Sequence, residues 1–516
     1  MSDHSRREFL ADVGRGMLVA SVGSSLAFDM GLSSVRADDV PSDTLAFGSL
    51  EPLVALMQET PPDVLLPQLV ARFKSGTDLR TLVAAGALAN ARTFGGEDYI
   101  GYHSFMALCP AYEMSKELPG AAQALPVLKV LYRNSSRIQA EGGRKHEVLK
   151  PVDPGSLPAG RSGGELLQEL VRRHDAAGAE SAFAAMTQGP VGEAFQHLQY
   201  EVEDEVDVHR VVLSWRAWSM LDVAGQQYAH TLLRQSVRYC LQSEKRMRDD
   251  NRPLCAIRTQ LPKLFDQYRL LAKPLGTREA DDAWIEEFSR IVYESPRAEA
   301  ADAAAAALAD GISPESVGEG ISLAANRLVL CDPGRREARP DKPIGSVHGD
   351  SVGVHASDAA NAWRNIARVS NRRNTAASLI VGAFHTAGQS NNLNKQPYPL
   401  PEQLAEITES KPEALLKDLD AAIRAKDQFR ACALATRYSQ LGGPPRPMLD
   451  VLLKYATSED GALHAEKYYR TVTEEYATTR PAFRNRQLSA LARVTASEYG
   501  KPAPGYAQAK DLLNRG

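Results

Sequence analysis

Residues 69–88, LVARFKSGTDLRTLVAAGAL, decide the fold class. Leu69, Val70 and Phe73 recur at helical spacing, Gly76-Thr77-Asp78 interrupts them, and an alanine-rich run then resumes the same period. Apolar residues three and four apart form a stripe along an α-helix, whereas a half-buried strand alternates every second residue. The stretch therefore reads as a helical hairpin: an amphipathic helix, a short turn, and a helix of small residues. The pattern returns in LVRRHDAAGAESAFAAM from Leu170, AALADGISPESVGEGISLAA from Ala306 and LDAAIRAKDQFRACALATRY from Leu419. An alanine-rich helix lets a neighbour approach closely, so such hairpins can stack. Their spacing is irregular, short of a true repeat. Aromatic residues are 7% of the chain and no segment reads as a strand. The expectation is an all-α protein whose helical hairpins pack as a multi-helix bundle or an irregular α-solenoid.

The N-terminus belongs to a different argument. Ser5-Arg6-Arg7-Glu8-Phe9-Leu10 is followed by a weak apolar run from Met17 to Leu32 and by Val35-Arg36-Ala37, a small-x-small step before Asp38. This order resembles a twin-arginine export signal. The resemblance implies a leader ending at Ala37, passage through the twin-arginine translocation machinery, and a periplasmic or otherwise exported destination. Such export carries proteins that fold first, often because a cofactor is loaded in the cytoplasm. The apolar run is shorter than the roughly 20 residues that span a bilayer and no comparable run follows, so no transmembrane segment is expected in the mature chain. No cysteine lies near the cleavage step, which excludes lipid attachment there.

Punctuation divides the remainder. Pro61-Pro62 precedes a first helical region, residues 142–164 (GGRKHEVLKPVDPGSLPAGRSGG) read as an exposed linker or long loop, and 332–353 is similarly broken. Pro397-Tyr398-Pro399 marks a boundary before the last helices. The expected organisation is a leader over 1–37, an N-terminal helical region over 38–141, the linker over 142–164, a central region over 165–400 and a C-terminal hairpin region over 401–516.

Composition removes several functions. The net charge is -4, so no overall basic field points to nucleic acid. The five cysteines, at 109, 240, 255, 331 and 432, are odd in number and widely spaced. That argues against a disulfide framework, covalent c-type haem, and a cysteine-rich zinc or iron–sulfur site, all of which need clustered thiolates. A single cysteine in an alanine-rich helix, such as Cys432, reads as a small core residue.

The chemistry is sought among eleven histidines. VHRVVLSWRAW from Val208 and VHASDAANAWR from Val354 each place a histidine at a helix start, with tryptophan and arginine further on. A second histidine follows each, in Tyr228-Ala229-His230-Thr231 with Gln235 and in Ala383-Phe384-His385-Thr386 with Gln389. The chain thus reads as two related units, and His209, His230, His355 and His385 are the expected metal ligands if the units converge. Neutral imidazole binds iron, copper and zinc, and helix bundles commonly hold such sites. Common ancestry of the two units explains the same placement without a metal. Arg238 and Arg364 are the expected anchors for a carboxylate or a cofactor propionate, with an ordinary salt bridge as the competing and more frequent role of each. The spacing of His197, Glu201, Glu205 and His209 would form one stripe on a continuous helix. Against this, Asp207 suits an N-cap for a helix from Val208, which would break the stripe. His103, His348 and His464 are secondary candidates.

Sharper motifs fail. Gly349-Asp350-Ser351-Val352-Gly353 fits G-x-S-x-G but lacks the strand a nucleophile elbow requires. His146-Glu147 opens an HExxH pattern in which Lys150 replaces the second ligand. No P-loop occurs, and a Rossmann dinucleotide site has no strands to stand on. The run from His355 through Asn361 to Arg364 resembles questin-oxidase-like proteins, helical oxidoreductases that open aromatic polyketide rings. Two functions follow from the sequence. One is an exported oxidoreductase with a histidine-held cofactor, iron, copper or non-covalent haem, acting on a small organic substrate. The other is a non-catalytic helical-repeat protein that binds a protein or polymer partner in the periplasm.

Overall fold

The computed structural model describes residues 43–338, 343–349 and 351–515. The expected leader over 1–37 lies outside them. Among the described residues the chain forms 23 α-helices and no sheet, the all-α architecture that the periodicity predicts. None of these helices is long and apolar enough to cross a membrane.

All four hairpins form, and one local device starts the second helix of each. The pairs are Pro62–Lys74 with Leu79–Phe94, Gly163–Arg172 with Ala176–Met186, Arg297–Ala309 with Pro314–Cys331, and Pro412–Arg424 with Gln428–Gln440. Asp78, Asp175, Ser313 and Asp427 cap the second helices, accepting from Thr81 N at 2.6 Å, Gly178 N at 2.9 Å, Ser316 N at 3.1 Å and Arg430 N at 3.0 Å. Each satisfies an N–H that the helix itself leaves free, worth about 1 kcal/mol.

Packing gathers the helices around two main apolar cores. The larger runs from Phe47 to Ala387 and takes in Leu463, Ala509 and Leu513. The second is built mainly by the C-terminal hairpins, with Leu415, Leu434, Leu452 and Leu491 inside it. Three helices belong to both. Tyr99–Ser115 gives Tyr102 to the first core and Met114 to the second, Pro314–Cys331 gives Val317 and Val329, and Val352–Val369 gives Trp363 and Val354. Two of these helices, Tyr99–Ser115 and Val352–Val369, carry His103 and His355, and His464 opens the helix that follows Leu463 of the larger core and gives Tyr468 to the smaller.

The seam is pinned by buried charge. Lys129, on the helix Ala124–Ala140, meets Glu466 at 2.7 Å with both side chains fully buried, and donates to Ala456 O at 2.8 Å and to Glu459 O. The stretch 142–164 is irregular, as expected from its glycines and prolines, but it is strapped to the larger core. Val148 N and Leu149 N donate to Thr93 O and Arg92 O at 3.2 and 3.0 Å, Gly155 N reaches Ser181 O at 2.9 Å, and the Leu149 side chain is buried.

Candidate functional site

Four imidazoles from four helices meet at the seam. His103 comes from Tyr99–Ser115, His209 from Val208–Ala224, His355 from Val352–Val369, and His464 opens His464–Thr478. Ring centroids are 4.8 Å apart for His103 and His209, 5.6 Å for His209 and His355, 5.3 Å for His355 and His464, and 5.2 Å for His464 and His103. Each ring touches two others, so the contacts close into a circuit.

Local sequence sets each ring. Asp98 caps the first helix, accepting from Gly101 N at 2.7 Å, and one turn on His103 Nδ1 donates to Tyr99 O at 2.6 Å. Because a carbonyl only accepts, the proton sits on Nδ1 and Nε2 keeps a lone pair. Asp207 caps the next helix through His209 N at 2.8 Å, lies 3.3 Å from His209 Nδ1, and accepts from the Tyr239 hydroxyl at 2.6 Å. This contact favours the proton on Nδ1 of His209 too. The Nε2 atoms of His103 and His209 are both buried without a hydrogen-bond partner. Those of His355 and His464 lie 3.3 Å apart. His464 is held by an unusual entry: Gly461, Ala462 and Leu463 all have left-handed φ, at 49°, 47° and 67°. For Ala462 and Leu463 this costs of order 1–3 kcal/mol each, strain that surrounding structure must hold in place.

Burial disfavours charge on three of the four rings. Burial, with the nearby Lys467 ammonium, drives His103 and His464 well below the ordinary imidazole range and His355 down to about 3. Burial likewise lowers Lys467 itself to about 8, opposed by Asp358 and Glu466. Asp207 is pushed up by burial, yet its bonds to His209 and Tyr239 hold it far below the usual carboxylate range. Tyr99 and Tyr102 flank the rings, with centroids 4.5 Å from His103 and 5.4 Å from His209.

A cleft of about 570 Å³ opens onto two of the four, His209 and His355, and is also lined by Asp207, Arg252, His385 and Gln389. His103 and His464 lie behind, 3% and 5% exposed. His385 Nδ1 accepts from Trp363 Nε1 at 3.2 Å, which leaves its Nε2–H to donate. Burial lowers its pKa to about 4.

The structure brings together His209 and His355 of the four expected ligands and places His385 on the cleft they share. His230 stands elsewhere, near Phe183 with a centroid distance of 6.3 Å, between Arg234 and Glu180. The two units therefore do not meet as histidine pairs. Two secondary candidates, His103 and His464, complete the circuit instead, and the signal for them was slight: tyrosines one turn away in each case. His348 lies against Arg335.

The arginine expectations meet carboxylates of the same chain. Arg238 pairs with Glu97 and Glu180, away from the cleft. Arg364, 2% exposed, is held by Glu475 and Glu315, each at 2.6 Å. The acidic stripe is broken because one helix ends at Val202 and the next starts at Val208; Glu201 is buried near Arg210, and burial pushes its pKa well up. Ser351 of the G-x-S-x-G run caps Val352–Val369.

Gly349 fixes the back of the site. A methyl group there would stand 2.1 Å from His464 Cβ, and Gly349 N donates to Glu498 at 2.7 Å. Gly349→Ala is expected to displace His464 and to cost about 1–3 kcal/mol, as overpacking does. Urea unfolding checks the cost, and the shift of the His464 ring proton signals checks the displacement.

No family model, curated protein or solved structure matches this chain.

Proposed function

We propose that this chain is an exported oxidoreductase that acts on a small organic substrate in the cleft through a cofactor held by histidine. The observation that carries the reading is the meeting of four imidazoles, two of them facing an open cleft, with the Nε2 lone pairs of His103 and His209 met by no protein group. Buried polar groups are ordinarily hydrogen-bonded, so unmet acceptors clustered beside a cavity favour a ligand over a packing role. The flanking residues suit redox and proton chemistry. The Tyr239 hydroxyl, Asp207 and His209 form one hydrogen-bonded chain through which a proton can pass between the interior and the cleft. His385 offers an N–H donor, and Arg252 a cation at the cleft wall, for an oxygen-bearing substrate. The twin-arginine resemblance supports export of a protein that folds around its cofactor first.

Two measurements test this. Arg6→Lys with Arg7→Lys is expected to hold the protein in the cytoplasm, seen by fractionation; unchanged export would remove the twin-arginine reading. Protein from the exported fraction is expected to consume oxygen or reduce a dye with a phenol, quinol or hydroxy acid among its donors. His209→Ala should lower that turnover at least 100-fold, and His385→Asn should raise KM. Inactivity across the donor panel, in protein with its cofactor bound, would overturn the oxidoreductase reading in favour of a binding role.

A further inference from the structure

We propose that His103, His209, His355 and His464 form the site of one first-row transition-metal ion. This deepens the cofactor reading above, on which only the use of the ion rests, not its binding. The expected set shares two residues with the one read from sequence and differs in the other two.

Geometry carries the assignment. Four imidazoles bound through Nε2 at about 2.0–2.1 Å put neighbouring ring centroids about 4.5 Å apart in a square and about 5.2 Å apart in a tetrahedron. The four contacts around the circuit, 4.8, 5.2, 5.3 and 5.6 Å, lie at and slightly beyond that range. Two nitrogens on one tetrahedral ion stand about 3.3 Å apart, and the Nε2 atoms of His355 and His464 are 3.3 Å apart. As they stand, no three His, Cys, Asp or Glu side chains among the described residues form a group that could hold a metal ion. The centroid distances set how near the rings stand; seating an ion would also require the rings to turn so that their Nε2 atoms aim at one point.

Tautomers and supports agree with this. A metal-binding histidine typically donates its other ring N–H to a carboxylate or carbonyl, which fixes the ring and raises its basicity. His209 does so to Asp207 and His103 to Tyr99 O, and in both the free nitrogen is a buried, unpartnered Nε2. The strained entry at 461–463 and the contact with Gly349 position His464 from behind. Four nitrogen donors favour copper, zinc, iron, nickel or cobalt over calcium or magnesium, which prefer oxygen. The axial nitrogens of a haem stand about 4 Å apart with the macrocycle between them, so rings in mutual contact leave no slot for a porphyrin. The ion would be reached from the cleft between His209 and His355. Lys467 opposes a cation here, and Asp207 and Asp358 offset it.

The test uses the full exported protein, stripped with a chelator and titrated with Co²⁺, whose visible bands report nitrogen coordination. One equivalent per chain is expected. His103→Ala and His464→Ala should each weaken binding at least 100-fold, while His230→Ala and His174→Ala leave it unchanged. Asp207→Asn keeps all four rings and is expected to weaken binding about 10- to 100-fold by loosening His209; far-UV circular dichroism confirms that each variant folds. Stoichiometric binding that survives His103→Ala with His464→Ala, or that is lost in His230→Ala, would overturn the site, as would no coloured complex in folded wild-type protein. A bound ion without turnover would spare the site and remove the oxidoreductase reading; turnover in ion-free protein would keep that reading and remove the ion from its chemistry.

Discussion

Lys129→Met is expected to destabilise the protein by about 3–5 kcal/mol, the effect of stranding a buried carboxylate. Glu466 is fully enclosed, and the lysine also satisfies Ala456 O and Glu459 O, so one substitution leaves three acceptors without their cation. The double substitution Lys129→Met with Glu466→Leu should recover much of the loss, because two apolar side chains of similar volume escape the desolvation cost of the pair. The two carbonyls would still lack their donor, so recovery should stop short of wild type. Urea midpoints at constant slope measure all three proteins. Equal stability of the single and double variants would show that the ion pair is not what holds these helices. Glu466 lies two residues beyond His464, so the same variant should also loosen the histidine circuit.

Steep acid unfolding of the metal-free protein is the second large effect expected. Burial lowers His230 and His385 to about 4, His355 to about 3, and His103 and His464 further, against about 6.5 in the unfolded chain. A histidine with a depressed folded pKa contributes stability that is complete above 6.5 and is lost as pH falls toward the folded value. In that window the unfolded state binds protons that the folded state refuses. Four carboxylates act in the opposite sense, since burial raises Glu203 to about 7, Glu201 well above its ordinary range, and Glu147 and Asp358 above theirs. With His197 also lowered by burial, the histidines outnumber the carboxylates, and stability falls by about 1.4 kcal/mol per pH unit for each proton in excess below pH 6. Denaturation at stepped pH from 7 to 4.5 measures the slope, and His230→Gln should flatten it by about 1.4 kcal/mol per unit. A stability that stays level from pH 7 to 5 would contradict the burial of these imidazoles. A bound metal ion should steepen the loss, because protons and metal compete for the same nitrogens.

The helical hairpins were legible because each is local. In 69–88 the apolar spacing, the Gly76-Thr77-Asp78 break and the alanine run all lie within one turn or two of their consequences, and Asp78 caps the helix that the spacing predicts. The cap at Asp207 was legible for the same reason, and it ended the expected stripe from His197 to His209. The histidine circuit was only half legible. Repeated neighbours drew attention to His209 and His355, but the same resemblance favoured His230, which stands near Phe183 away from the cleft, and His385, which lines the cleft without joining the circuit. His355 and His464 are 109 residues apart and touch through their rings. The partners of Arg238 and Arg364, Glu180 and Glu475, come from other helices, so spacing along the chain could not name them.

By itself the sequence determined that the chain is all-α, where its hairpins turn, and that its five cysteines are spaced too widely for a thiolate motif. These follow from period, capping and composition, which act over a few residues. Which histidines meet, which of their nitrogens stay free, and that they meet beside a cleft were decided by the tertiary structure. Packing two apolar cores against each other brings distant helix faces together, and no short-range pattern records which faces will share the seam.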